Sequence, residues 1–374
     1  MVRRWTSGFE LNTTNPQSLE WNTDPNGSTS FVRSDTYAGN NATTLIRFTA
    51  TQEVDTWVYL SIYLYVQTMP GADQNILWVD GAGSPAASPR IHLDNSGVLR
   101  LKTSGGSTLD TGSTISTGQW YHFEWKIRTN SGAGYTTESV FYLDGIEDMS
   151  GSHAHSNNGF HSLQTSGGTG IFWDDCVLND ESGSFETGFS DHEVIHLHPV
   201  TPAGDNAAWT TQGSANNWDN VDEVPPNDDT DFNWTATASA IDDHNIAATP
   251  AALASDDDVP CVQIGVRLKT LVIANEFKLR IKASSGGTVE ESGAITTTTG
   301  WVTHQSATPR THRLTLYDLP GGSTDPWTKA LLDTAQIGYR HTGGFPGISA
   351  VWLAASHLPA VVAADRRRVL AQVA

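Results

Sequence analysis

Residues 56 to 68 read Thr-Trp-Val-Tyr-Leu-Ser-Ile-Tyr-Leu-Tyr-Val-Gln-Thr, so Val58, Leu60, Ile62, Leu64 and Val66 share one face and Trp57, Tyr59, Ser61, Tyr63 and Tyr65 the other. A period of two marks a strand. Neither face carries a charge, so both are expected to be covered, as in an inner strand of a sandwich. From Trp120 to Arg128 the alternation places Tyr121, Phe123, Trp125 and Ile127 inward and His122, Glu124, Lys126 and Arg128 on a face expected to be wet. Further strands are expected near 44–50, 74–80, 89–103, 138–146 and 169–178, between clusters of Gly, Ser, Asn and Asp. Their number and spacing suit a jelly roll.

The same period returns in the second half, at Val262, Ile264, Val266 and Leu268, and at Phe277, Leu279 and Ile281 alternating with Lys278, Arg280 and Lys282. A final buried strand is expected at 348–355. One short helix is expected over 326–336, with Asp325 as its cap, Pro326 in its first turn, and Trp327, Ala330, Leu331 and Ala335 on one face. The tail 359–374 reads as a helical arm or a disordered end.

At 374 residues the chain exceeds what one core usually supports, about 250 to 300 residues, so two domains are expected. The composition, with 13 Trp, 3 Met and abundant Gly, Ser and Thr, favours sheet. The expected fold is all-β: a jelly-roll sandwich over 1–180, an acidic linker at 181–192, and a second β-rich sandwich domain over 193–358 with at most the one short helix. Residues 181–260 hold 16 Asp or Glu and no Lys or Arg, which repels nucleic acid. Residues 261–374 carry 12 basic against 7 acidic side chains, so the two blocks can pair within the fold or between subunits, or the acids can simply be solvated.

Met1-Val2-Arg3-Arg4-Trp5 leads into polar sequence, so no secretory signal is expected, and no segment approaches the ~20 apolar residues that span a bilayer. Synthesis in a cytoplasm is the corresponding expectation. Cys176 and Cys261, each in an apolar run, read as buried thiols rather than a disulfide framework.

Gly118-Gln119-Trp120-Tyr121-His122-Phe123-Glu124-Trp125, followed by Val140-Phe141-Tyr142-Leu143-Asp144-Gly145, resembles the paired strands of laminin-G and concanavalin A-like domains. The Asp-Gly pair suits a type I′ hairpin, which needs positive φ at both central residues. In the second half, Asn217-Trp218-Asp219-Asn220-Val221-Asp222-Glu223-Val224-Pro225-Pro226-Asn227-Asp228-Asp229-Thr230-Asp231-Phe232 resembles a segment of tailed-bacteriophage virion proteins. Asp325-Pro326-Trp327-Thr328 and Gln336-Ile337-Gly338 extend that resemblance, which spans roughly 190–356. It implies a virion location, partners among other head or tail proteins, and no information on position within the particle.

Candidate chemistry is sparse. A glycosidase needs two carboxylates about 5 to 10 Å apart across a cleft, and no Glu pair in an aromatic cleft stands out. No Gly-x-Ser-x-Gly elbow, P-loop or dinucleotide fingerprint occurs. The pairs His153/His155 and His196/His198 have strand spacing for two imidazoles on one face but lack a third ligand, so hydrogen-bonded histidine is the better reading. The resemblance to jelly-roll carbohydrate-binding modules makes Glu10 with Asp174 or Asp175 a candidate structural Ca²⁺ site. Trp57, Tyr59, Tyr63 and Tyr65 form the candidate glycan face, with buried packing as the competing reading. Trp209, Trp218 and Trp234 are candidates for a subunit interface.

The expectation from sequence is therefore a non-enzymatic phage structural protein, a capsid decoration or a tail or appendage component, acting through assembly contacts and as a homo-oligomer. The alternative is a virion-attached lectin-like module that binds host or environmental polysaccharide, with depolymerase activity third. No catalytic residue, nucleic-acid partner or membrane is expected.

Overall fold

The computed structural model describes residues 3–7, 26–28, 33, 38–40, 44–47, 55–80, 89–131, 135–155, 162–166, 170–181, 189, 193–224, 228–251, 253–255, 257–271, 276–296, 302–303, 315–317, 320–323 and 325–358. Within them the fold is almost entirely β, with one short helix. The chain divides into two compact units, residues 1–191 with 308–311, and residues 192–307 with 312–374.

The first unit is a sandwich of two antiparallel sheets. The eight-stranded sheet runs in the order Ile146–His155, Tyr135–Leu143, Trp120–Ser131, Val58–Val66, Ile171–Asp180, Ala38–Asn40, Asn26–Ser28, with Arg3–Ser7 also on Ile171–Asp180. The six-stranded sheet runs Thr44–Arg47, Ser162–Thr165, Gln74–Asp80, Arg90–Leu93, Val98–Lys102, Thr108–Thr114. Val58, Leu60, Ile62, Leu64 and Val66 meet Tyr121, Phe123, Trp125 and Ile127 in the same core, against Ile91, Leu93, Leu99 and Leu101 of the facing sheet. Side chains of this size each contribute roughly 1.5–3 kcal/mol when fully buried, which makes this core the main source of the unit's stability. Asp144 and Gly145 have φ of 51° and 79°, so the two-residue turn between Tyr135–Leu143 and Ile146–His155 has the backbone that Asp-Gly favours.

In the second unit a seven-stranded sheet is built around Pro346–Leu358 and Asp258–Thr270, and a six-stranded sheet around Gln336–Gly343, Ile241–Ile246 and Glu276–Lys282. Val262, Ile264, Val266 and Leu268 pack with Phe277, Leu279 and Ile281 in one core. The helix is shorter than the sequence suggests. It spans Lys329–Leu332 and is capped by the side chain of Thr328, which accepts from the Leu331 N–H, rather than by Asp325. Trp327 instead sits in extended backbone, bridged to Val259 and buried, so the helix starts only after it.

The buried cations of the six-stranded sheet in the second unit are paired with acids. Arg280 and Lys282, on the face opposite the core, are 7% and 3% exposed, because Asp243 accepts from Arg280 Nε at 3.2 Å and Lys282 Nζ at 3.1 Å. Gly338 lies between Asp243 and Arg280 in register, and a Cβ there would collide with the Asp242 backbone, so only glycine permits this close pairing. On the core side, Asp242 accepts from Trp209 N–H at 2.8 Å and Asn217 Nδ2 at 2.6 Å, while Tyr339 Oη contacts His244 Nε2 at 3.1 Å and Asn233 Nδ2 at 2.9 Å.

Burial pushes Asp242 up to about 7, against the hydrogen bonds it accepts, and pushes His244 down to about 4. Between roughly pH 4 and 7 the folded chain keeps a proton on Asp242 that the unfolded chain has lost, so this group lowers stability as pH rises. His244 is neutral in the fold where the unfolded imidazole is charged, which raises stability with pH over nearly the same window. The two slopes oppose each other. His244→Gln is therefore expected to uncover a fall of up to about 1.4 kcal/mol per pH unit between pH 4.5 and 6.5, read by urea unfolding. The same pH profile in the variant and the parent would contradict this coupling.

Candidate functional site

The candidate site is the outward face of the eight-stranded sheet in the first unit, where three neighbouring strands align their non-core side chains in rows. Tyr63 is opposite His122 on one side and Asp174 on the other; Ser61 pairs with Glu124, Tyr59 with Lys126, and Tyr65 with both Trp120 and Phe172. The sequence predicted a wet face at His122 and Glu124. They are 6% and 4% exposed, His122 because Tyr63 of the neighbouring strand stacks on it.

Tyr63 anchors the centre. His122 stacks on it with centroids 4.4 Å apart and planes 13° from parallel, and the Arg33 guanidinium lies 3.4 Å from its ring centroid. Two planar groups this close cannot share one face of a ring, so Tyr63 is held between them. Tyr63 thus has no ring face left for a sugar, and of the four predicted glycan-face residues it belongs to the floor. Trp57, Tyr59 and Tyr65 are half-buried and form the rim, together with Trp120 and Tyr142. Tyr59 and Tyr142 both meet the Phe189 ring edge-on, at 5.4 and 5.1 Å, and Tyr65 meets Trp120 at 5.5 Å. Burial, with the Glu181 charge next, raises the Tyr59 phenol above its ordinary range, so it stays a neutral donor.

Asp174 and Asp175 mark a β-bulge in Ile171–Asp180, and Asp175 has a φ of 46°, a conformation few non-glycine residues adopt. The bulge turns both carboxylates to Arg33: its backbone N–H donates to Asp174 Oδ2 at 2.9 Å and its Nη1 to Asp175 Oδ2 at 2.5 Å. Asp174 Oδ1 also accepts the Asp175 N–H at 2.9 Å. The pair proposed for calcium thus already faces a guanidinium. Glu10, its third proposed ligand, lies outside the described residues. Among the described residues no group of three or more His, Cys, Asp or Glu is arranged to hold a metal. His153 is half-buried and His196 buried.

The acidic loop in the second unit is likewise used internally: Arg267 grips Asp228 through two hydrogen bonds, of 2.7 and 2.5 Å, and Lys269 meets Asp229 at 2.8 Å. Of the predicted interface tryptophans, Trp209 is 4% exposed and packs edge-on against Tyr339 at 4.6 Å, so its ring is core and unavailable to a neighbour. Trp234 is half-buried and stacks on Phe345 at 4.9 Å, and Trp218 is half-buried on a 3₁₀ turn.

Sequence reasoning missed Arg33, whose surroundings have no hydrophobic period, and misjudged His122, whose partner is set by register with a strand nearly 60 residues away. Chemically the face offers stacking surfaces and hydrogen-bonding groups around a sealed floor. His122 and Glu124 lie within that floor, His122 stacked on Tyr63.

The fold and this face define a β-sandwich protein with a polar, aromatic-rimmed sheet surface. No family model matches the chain, and no curated protein matches it. Among solved structures it is similar to the cellulose induced protein Cip1, at 16% identity and TM-score 0.32, over 45% of this chain and 88% of that one. It is also similar to the endo-β-1,4-glucuronan lyase of the fungus Trichoderma reesei, at 12% identity and TM-score 0.31, over 43% and 91% of the two chains. A third is domain 4 of AbnA, a GH43 extracellular arabinanase from Geobacillus stearothermophilus in complex with arabinotriose, at 14% identity and TM-score 0.29, over 46% and 80%. Likeness at this level carries no argument about activity or ligand.

Asp175→Ala is expected to lower stability by about 1–3 kcal/mol, since it removes the Arg33 partner and forces alanine into left-handed backbone. Asp175→Asn, which tolerates that backbone, should lose less. A chelator should leave the melting midpoint unmoved, because Arg33 supplies the positive charge. A large chelator-induced drop, or an unaffected Ala variant in denaturant titration, would contradict this description of the bulge.

Proposed function

We propose that this chain is a non-enzymatic structural protein of a tailed-phage particle whose first unit carries a lectin-like face for polysaccharide. The observation that supports the binding half is the aromatic rim of Trp57, Tyr59, Tyr65, Trp120 and Tyr142, half-exposed around a rigid polar floor. Apolar sugar faces stack on such rings while neighbouring donors fix orientation. A buried and stacked floor favours recognition over catalysis, because groups that must exchange protons with a substrate need to reach it.

The particle half rests on the sequence resemblance over 190–356, and the residues that carry it act as scaffold. Asn220 is fully buried and bridges Ser214 and Asn233, Trp327 is core, and Asp228 holds Arg267. A unit built this way suits attachment and display, and repeated copies on a particle would multiply weak sugar contacts.

The full chain on a glycan array, followed by titration of any hit, tests the binding half. Trp120→Ala with Tyr65→Ala is expected to weaken binding at least tenfold in a chain that still unfolds cooperatively, its melting midpoint lowered only by the lost ring packing. Incubation with the bound polysaccharide should release neither reducing ends nor unsaturated products. Product release would overturn the non-enzymatic claim, and absence of the chain from purified particles by mass spectrometry would overturn the structural one.

A further inference from the structure

We infer that this face, read as carbohydrate-binding above and resting on that reading, selects anionic sugars through the Lys126 ammonium held beside Trp57 and Tyr142. Lys126 is half-buried, and its Nζ lies 5.3 Å from the Trp57 ring centroid and 6.0 Å from that of Tyr142. The chain has six lysines. Lys102 pairs with Asp73, Lys269 with Asp229, Lys278 with Glu291, Lys282 with Asp205 and Asp243, and Lys329 with Asp333. Lys126 alone has no carboxylate within ion-pair distance among the described residues.

That exception needs a cause, since the chain holds 41 acids against 21 Lys and Arg, and carboxylate partners are abundant. Of the acids around Lys126, Glu181 is near enough for its charge to act on Tyr59, the cross-strand partner of Lys126, yet it makes no ion pair with Lys126. Glu138 pairs with Arg128 at 2.8 Å, and Glu124, two residues away on the same face, is buried in the floor. Arg128 also leans on Trp57, at 4.7 Å, so the indole carries two cations, of which one is neutralised within the protein. The other is available at the rim, where a sugar stacked on Trp57 or Tyr142 would bring a substituent against it.

An ammonium is a compact point charge without the planar fork that would favour one oxyanion geometry, so carboxylate and sulfate substituents both satisfy it. The surroundings strengthen the contact, because charge attraction grows as aromatic groups displace water. General attraction for polyanions is not the cause, since a net charge of −20 repels them.

The test is binding of the full chain to polygalacturonate, dextran sulfate, dextran and galactomannan at fixed ionic strength, for the parent, Lys126→Gln, Lys126→Arg and, as a charge control, Lys102→Gln. At least one polyanion should bind tenfold or more tightly than the neutral chains. Lys126→Gln should abolish that preference with an unchanged melting midpoint, while Lys126→Arg and Lys102→Gln keep it. Carboxylate or sulfate is then identified by which polyanion binds. Neutral glycans bound as well as polyanions, or a preference that survives Lys126→Gln, would overturn the inference and leave the carbohydrate reading standing. Binding to none of the four, with none on the wider array, would sink both.

Discussion

A β-strand in the middle of a sheet has two faces, and each must be covered by something compatible with it. The Val58–Val66 strand meets that constraint in two ways at once. Its aliphatic side chains close the core against the six-stranded sheet, while its opposite face is covered by rings and polar groups from its own neighbours. The stack of His122, Tyr63 and Arg33 is the centre of that second layer, and the bulge at Asp174 and Asp175 exists in the fold as the support for Arg33. Everything at the rim is placed by what this floor leaves half-exposed.

The second unit solves a related problem with charge. Burying an ion alone costs several kcal/mol, so Arg280, Lys282 and Arg267 enter low-exposure positions only with Asp243, Asp205 and Asp228 beside them. Gly338 is the geometric condition for the first of these pairings. The acidic stretch that dominates the middle of the sequence is therefore partly structural, and pairs in part with the basic residues that follow it.

Strands with strict alternation were legible from residues alone, because the side-chain period of a strand is set by its backbone and needs no partner to be identified. Val58 to Val66, Tyr121 to Ile127 and Val262 to Leu268 are of this kind, as is the Asp144-Gly145 turn, whose φ values follow from local sterics. What was not legible depends on register between distant segments. His122 is buried because Tyr63 lies opposite it, and Arg33 reaches Asp175 across 142 positions. The helix is shorter for a comparable reason: Trp327 forms a β-bridge with Val259, a partner 68 positions away, and so lies outside it. The candidate site was thus half visible: Trp57, Tyr59 and Tyr65 of its rim and the outward placing of Lys126 and Arg128 followed from pattern, whereas Arg33 did not.

The most direct measurement is the indole N–H spectrum of the full chain, with tryptophans assigned by substitution, during titration with a polysaccharide ligand. Trp57 and Trp120 on the outward face should shift and saturate together, while Trp125 and Trp173 in the core and Trp78 on the other sheet stay in place. Shifts confined to Trp78, or to tryptophans of the second unit, would contradict the assignment of this face as the binding surface.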